Sequence, residues 1–190
     1  MLIARPCIVA VAISASLLVA GCSGDDDSPS DSSSTSQSPS GDATDAAGTL
    51  LQAGLDQMAT GQDKAARTTF ENVLSLEPDN LYALYNLGVI AQGAGKTDEA
   101  LDFYDQALVV QTDYTPALYN KAILLEKTDL EQSIQIYRQV IGIDDTMAAA
   151  YMRLGFALVH LGKNEEGAEF LEQGIALDPS MTEIEAPNYE

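Results

Sequence analysis

From residue 47 onward the pattern of small, apolar and polar positions repeats at a fixed step. Gly54, Gly88, Ala122 and Gly155 stand 34, 34 and 33 residues apart, and each lies four residues beyond Leu50, Leu84, Leu118 or Tyr151, where a hydrophobic stretch begins. A second small-residue series, Ala66, Ala100, Ser133 and Gly167, keeps the same step, and four residues beyond its members come Phe70, Tyr104, Tyr137 and Leu171. Turn signals fall between the series at Gly61, Gly95 and Gly162, while Pro78 and Pro179 close the first and last units. A period of this length marks an array of supersecondary units, none of which can bury its apolar face alone. Upstream the pattern differs. Cys7 to Ala20 is a fourteen-residue apolar run behind the positively charged start Met1 to Arg5. It is too short to span a bilayer comfortably, which takes about 20 residues, and reads as the core of a secretory signal. Ser23 to about Asp45 is Ser, Asp, Thr, Pro and Gly with almost nothing to bury.

The repeating residues resemble the tetratricopeptide repeat. The second unit, Leu81 to Tyr114, carries the resemblance most fully through LYALYNLG, GKTDEAL and FYDQAL. The resemblance implies an all-α, right-handed α-α superhelix of four helix-turn-helix units over 47–80, 81–114, 115–147 and 148–180, with a tail at 181–190. The expected helices cover 47–60, 63–76, 81–94, 97–110, 115–127, 130–142, 148–161 and 164–177. Two antiparallel helices approach closely only where both carry small side chains, so the two small series should face each other with the aromatic filling the space where the helices diverge. Gly61, Gly95 and Gly162 suit the left-handed residue that ends a helix, and Pro cannot continue one. The third unit is one residue short; Thr128 and Glu131 form a candidate capping box there, which places the deletion in a turn. Other departures are Thr112 and Asp145 where Pro is expected, and Gly167 and Gly174 in place of alanines. The tail is too short for a polar capping helix, and Met181, Ile184 and Tyr189 are expected to fold over the last pair.

Val19-Ala20-Gly21-Cys22 resembles the bacterial lipobox. The resemblance implies removal of a signal peptide, 1–21, and diacylglyceryl modification of the Cys22 thiol, with palmitate-like acyl chains holding the protein to the extracytoplasmic side of a cell membrane. Two acyl chains hold stably where one is marginal. Ser23 permits outer-membrane sorting in a cell with two membranes. Residues 22–46 are then a flexible tether, roughly 25 to 30 Å in average reach for about two dozen residues. The Asp25-Asp26-Asp27 run is a solvated part of it rather than a metal site.

In each first helix a second apolar stripe lies one residue beyond the core stripe. It comprises Leu51, Leu55 and Met58, then Tyr85 and Val89, then Tyr119 and Ile123, then Met152, Phe156 and Val159. An amphipathic surface helix has one apolar face, so the second stripe calls for a cover: either the neighbouring unit or a ligand. In the family that face lines the concave groove, and Leu51, Leu55, Tyr82, Tyr85, Val89, Tyr119, Ile123, Met152 and Phe156 are the candidate peptide-binding residues. The carboxylate clamp for acidic chaperone tails needs Lys and Asn where Leu51 and Leu55 stand; Asn86 matches one clamp position only.

Composition narrows the function. Nine Lys plus Arg face 29 Asp plus Glu, a net charge of −20, with every acid after residue 22. Nucleic acid is excluded as a partner, because phosphate binding rests on clustered basic residues. Acids in the first turns of the second helices, among them Asp98, Glu99, Glu165 and Glu166, suit the helix dipole. One His, His160, and two Cys supply no nucleophile, phosphate loop or metal-ligand set, so no catalytic residue, metal, cofactor or small-molecule substrate is expected. The sequence therefore predicts a membrane-anchored adaptor or scaffold for a protein or peptide partner, with a pilotin-like assembly factor for a pilus or secretion complex as the alternative.

Overall fold

The computed structural model describes residues 40–189. The signal segment, Cys22 and the tether as far as residue 39 lie outside the described residues. Eight helices follow in chain order: α1 Ser40–Ala59, α2 Asp63–Leu76, α3 Leu81–Gly93, α4 Thr97–Val110, α5 Thr115–Leu125, α6 Leu130–Ile143, α7 Ala148–His160 and α8 Asn164–Leu177, then a 3-10 turn at Pro179–Glu183. They pair as four antiparallel hairpins, and the extensive contacts run between helices consecutive in the chain. The result is an all-α superhelix.

Seven helices begin and end within two residues of the sequence expectation; α1 does not, starting at Ser40 rather than residue 47. Adding a residue to a formed helix costs far less than starting one, and Ala46 and Ala47 are strong helix formers. Ala47 is fully buried, so tertiary packing anchors this extension into what composition marks as tether. Gly61, Gly95 and Gly162 take φ of 74°, 72° and 78°, the left-handed conformation that closes the first, second and fourth hairpins. The third hairpin has no such glycine. There the capping-box expectation is corrected: Asp129, not Thr128, is the N-cap of α6, its carboxylate accepting from Gln132 N at 2.9 Å. The Thr128 amide instead donates to Leu125 O at 3.1 Å. At α3, Asn80 plays the same part toward Ala83 N.

The small-residue series meet as the spacing requires. A Cβ on Gly54 would sit 2.5 Å from the Phe70 ring, and one on Gly88 2.5 Å from the Tyr104 ring. In the third pair Ala122 replaces glycine and its carbonyl accepts the buried Ser133 hydroxyl at 2.9 Å. The fourth pair brings backbone against backbone: a Cβ on Gly155 would lie 2.8 Å from Gly167 O, and one on Gly167 2.8 Å from Gly155 O. Gly174 gives way to Met152, whose Sδ would be 2.9 Å from a Cβ there. Both departures from alanine in the last unit thus serve close packing.

Three apolar clusters line the array, one at each junction between units. The first centres on Phe70, Val73 and Leu87, the second on Leu84, Tyr85 and Tyr104, the third on Leu118, Tyr137 and Leu154. Each unit completes the core of its neighbour, as in a quasi-one-dimensional solid. At the far end the expectation for the tail holds only for part of it. The 3-10 turn packs on α8 and α7, Tyr189 reaches the third cluster, and Ile184 and Leu177 stay 47% and 45% exposed.

Two glycine replacements separate close approach from helix propensity. Gly155→Ala should cost about 1–3 kcal/mol, because an added methyl forces the backbones apart. Gly48→Ala, on an exposed stretch of α1 with nothing within 4 Å of the new methyl, should add about 0.5–1 kcal/mol. Thermal melts followed at 222 nm should move by roughly 2–4 °C per kcal/mol, in opposite directions.

Candidate interaction surface

The first helices α1, α3, α5 and α7 follow one another along one side of the array and are tied by side chains. Asn120 of α5 donates to the Tyr85 hydroxyl of α3 at 3.2 Å in a buried bond, and Arg153 of α7 donates to Glu126 of α5 at 2.8 Å. The two bonds occupy one register position. Asn86, Asn120 and Arg153 are 34 and 33 residues apart, and each reaches toward the aromatic or apolar pocket of its own or the preceding unit.

The pockets change character from unit to unit. Between the first and second units, Leu51, Met58 and Phe70 are apolar, and the Asn86 amide turns back to Tyr82 O at 2.7 Å. Between the second and third, Tyr85, Gln92 and Tyr104 surround Asn120; the Tyr104 hydroxyl donates to Gln92 Oε1 at 2.6 Å. Burial pushes both phenols above their usual range. Between the third and fourth, Tyr119, Glu126 and Tyr137 surround Arg153. Glu126 is only 6% exposed and also accepts from the Tyr137 hydroxyl at 2.7 Å. Burial drives the Glu126 carboxyl up, against the Arg153 charge and the Tyr137 bond, which pull it down. The guanidinium also bonds Tyr119. The Glu126 carboxylate is thus buried beside a half-buried Arg153, whose side chain is 29% exposed, and a phenol bonds each partner, which offsets part of the cost of drawing the charges out of water.

The nine candidate binding residues fall into three groups. Tyr85, Val89, Tyr119 and Met152 are 6%, 5%, 8% and 4% exposed, and their side chains pack mainly within and between units, so of the two covers open to the second stripe the neighbouring unit supplies most of theirs. The cause is visible in each place: Asn120 covers Tyr85, Arg153 covers Tyr119, and Met152 lies in the space left by Gly174. Leu51, Leu55, Ile123 and Phe156 are half-buried. Tyr82 is 42% exposed, its ring edge-on to Tyr114 at 6.4 Å. Tyr85 and Tyr119 still reach a cleft of about 280 Å³ shared with Thr115, Pro116, Asn120, Asp144 and Met147. The residues missed in the sequence are Gln92, Asn120, Glu126 and Arg153. Their signal was present, since they recur in register with the glycines, but only the fold shows that the polar members meet.

Several basic side chains tie one unit to the next. Arg67 pairs with Glu99 at 2.5 Å, Lys121 with Asp105 at 2.5 Å, and Arg138 with Glu166. Exposed pairs of this kind contribute little stability each, about 0–1 kcal/mol. They do draw cationic groups into the array and leave the surface strongly acidic.

An α-α superhelical array of four helix-turn-helix repeats defines the class of protein. Models of the tetratricopeptide repeat match residues 51–115 and 148–181, and the chain belongs to the tetratricopeptide repeat family. Among curated relatives, photosystem I assembly protein Ycf3 of Acaryochloris marina is 32% identical over 77 residues, 39% of this chain. The chain spans 46% of that protein's length. Among solved structures, Pseudomonas aeruginosa PilF superposes with a TM-score of 0.65 at 20% identity, over 74% of this chain and 66% of that one. YrrB, described as a tetratricopeptide repeat protein with an unusual peptide-binding site, gives 0.61 at 22% identity over 72% and 71%. The structural likenesses establish the fold.

The buried pair predicts an asymmetry between its partners. Glu126→Gln keeps an acceptor for Tyr137 and removes a charge whose burial is unfavourable, so its stability at neutral pH should stay within about 1 kcal/mol of the parent. Arg153→Met strands the carboxylate and should cost about 3 kcal/mol. The folded carboxyl has its pKa above the unfolded 4.5, so the folded state binds more protons in that interval. Its contribution is thus complete below 4.5 and is lost as pH rises through the folded value. Urea titrations across the window just above pH 4.5 should show this slope in the parent and lack it in Glu126→Gln.

Proposed function

We propose that this chain is a membrane-anchored lipoprotein that acts as an adaptor or scaffold, binding an extended peptide segment of a partner protein on the face of its first helices. The observation that carries the reading is the cleft lined by Tyr85 of α3, by Thr115, Pro116, Tyr119 and Asn120 of α5, and by Asp144 and Met147 of the α6–α7 turn, with Tyr82 edge-on to Tyr114, the residue before Thr115. Exposed aromatic surface beside a preformed cleft favours association. Asp144 at the rim and the −20 charge favour a neutral or basic segment over an acidic tail. The peptide-binding description of YrrB is consistent with this use of the fold. No helix among the described residues is long and apolar enough to cross a membrane; attachment in this reading is through Cys22.

A second reading, a pilotin-like factor supporting a pilus or secretion pore, draws on Ser23 after the lipidated cysteine and on the likeness to PilF. It keeps the same groove and changes only the partner.

Anchoring is checked by Cys22→Ser, which should release the protein from membranes; unchanged retention excludes lipidation as the anchor. Groove binding is checked with a photoreactive amino acid at Tyr82, on the inner face, or at Val109, 84% exposed on a second helix. Crosslinked partners should appear from the Tyr82 position only. Equal capture from both positions, or capture from Val109 alone, rules out the groove.

A further inference from the structure

In the tail, Met181, Pro187 and Tyr189 are half-buried, whereas residues 182–186 and Asn188 are exposed. Asp178 caps the 3-10 turn by accepting from the Ser180 amide at 3.0 Å and its hydroxyl at 2.8 Å, and this turn reverses the chain at the foot of α8. Ile184 is extended, with φ −82° and ψ 124°, and Pro187 keeps the residue before it out of the helical region. Residues 184–189 form no helix or strand and reach at most about 20 Å, the length of a thirteen-residue helix such as α7. The segment ends at the far end of that helix: the Tyr189 ring lies 4.8 Å from the His160 ring at 42°. Tyr189 also packs against the cluster at the junction of the third and fourth units, beside Glu126 of α5 and Arg153 of α7, whose charges act on its phenol. His160 and Arg153 belong to α7 and Glu126 caps the C-terminus of α5, so the tail lies along the first helices, the side assigned above to a partner peptide.

The fit is made by the ring. The Tyr189 hydroxyl is buried and has no hydrogen-bond partner among the described residues, although charged groups surround it. A buried polar atom without a partner weakens an association, so this occupant is held by aromatic packing and opposed by its own hydroxyl. Such an occupant is displaceable.

We propose that the end of the groove bounded by α5 and α7 is a docking seat for a single aromatic side chain of an extended peptide, and that the chain's own C-terminal segment fills it with Tyr189 and competes with partner segments. The proposal rests on the peptide-binding reading above and gives its ligand a chemistry: an extended strand-like segment carrying Phe or Tyr, with Phe at least as good. A tether of a few residues presents the tail at an effective concentration of about 1 mM or more, so a partner segment binds with an affinity reduced by the fraction of seats already filled.

His160 is the only histidine, and its ring-proton NMR resonance reports the seat directly. In the full chain this resonance should be displaced by the Tyr189 ring, should return toward that of a solvated imidazole in Tyr189→Ala, and should hold its place in Tyr189→Phe. A synthetic decapeptide of residues 181–190 added to the Tyr189→Ala chain should restore the displaced position. The parent chain should need roughly tenfold more peptide, and the peptide carrying Tyr189→Ala should have no effect. An unchanged resonance in Tyr189→Ala, or equal peptide affinity for parent and variant, overturns the proposal. A displacement that grows with chain concentration overturns occupancy in cis and assigns the tail to a second copy. Partner capture through Tyr82 without these shifts sinks the tail proposal alone, whereas seating of the decapeptide with no partner captured through Tyr82 sinks the adaptor reading and leaves the seat.

Discussion

The close approach of the two helices in each hairpin is the constraint on which the rest depends. At Gly54, Gly88 and Gly155 a methyl group would enter an aromatic ring, a leucine or an opposing carbonyl at under 3.0 Å. Close packing of this kind tolerates little change in volume. It orients each pair so that Phe70, Tyr104, Tyr137 and Leu171 can fill the opening between the helices, and the first three in turn offer the next unit its packing surface. Because each unit meets only its neighbours, the hairpin geometry propagates into the curvature of the array. The third unit keeps the geometry without a glycine by giving the Ala122 carbonyl a hydroxyl from Ser133.

The junctions between units carry the individuality of this chain. One position series runs Asn86, Asn120, Arg153 and another Met58, Gln92, Glu126, Val159. Their members change together, so that each junction is internally satisfied and differs from the next. A buried amide between phenols and a buried guanidinium between a carboxylate and phenols cannot exchange places without leaving a polar atom unpaired, a costly condition at low solvent exposure. The order of the units is thereby specified by polar groups, while the stability comes from apolar contacts.

The tail turns the side of the first helices into a contested surface. Tyr189 uses the Glu126–Arg153 junction as one wall and His160 as another, while the Tyr82–Tyr114 region at the other end of the groove stays open. A partner could engage the open end first and displace the tail afterwards. The acidic surface of the array has an interaction range set by salt screening.

The sequence by itself determined the helices, their pairing and their order. The 34-residue step, the glycine turns and the small-residue series are local signals, and residues separated by one turn or one repeat report the same geometry each time. Even the unusual Gly167 and Gly174 were visible as departures, though not their reason. Tertiary structure alone decided which face of each first helix is sealed. For Tyr85, Tyr119 and Met152 the sequence left both covers open, because periodicity along one helix cannot tell a neighbouring repeat from a partner. The start of α1 inside a polar segment was illegible for a related reason, and the expected folding back of Tyr189 did not name His160 as its contact. Both depend on contacts across long stretches of chain, where Ala47 or Tyr189 gains a buried site that composition does not disclose.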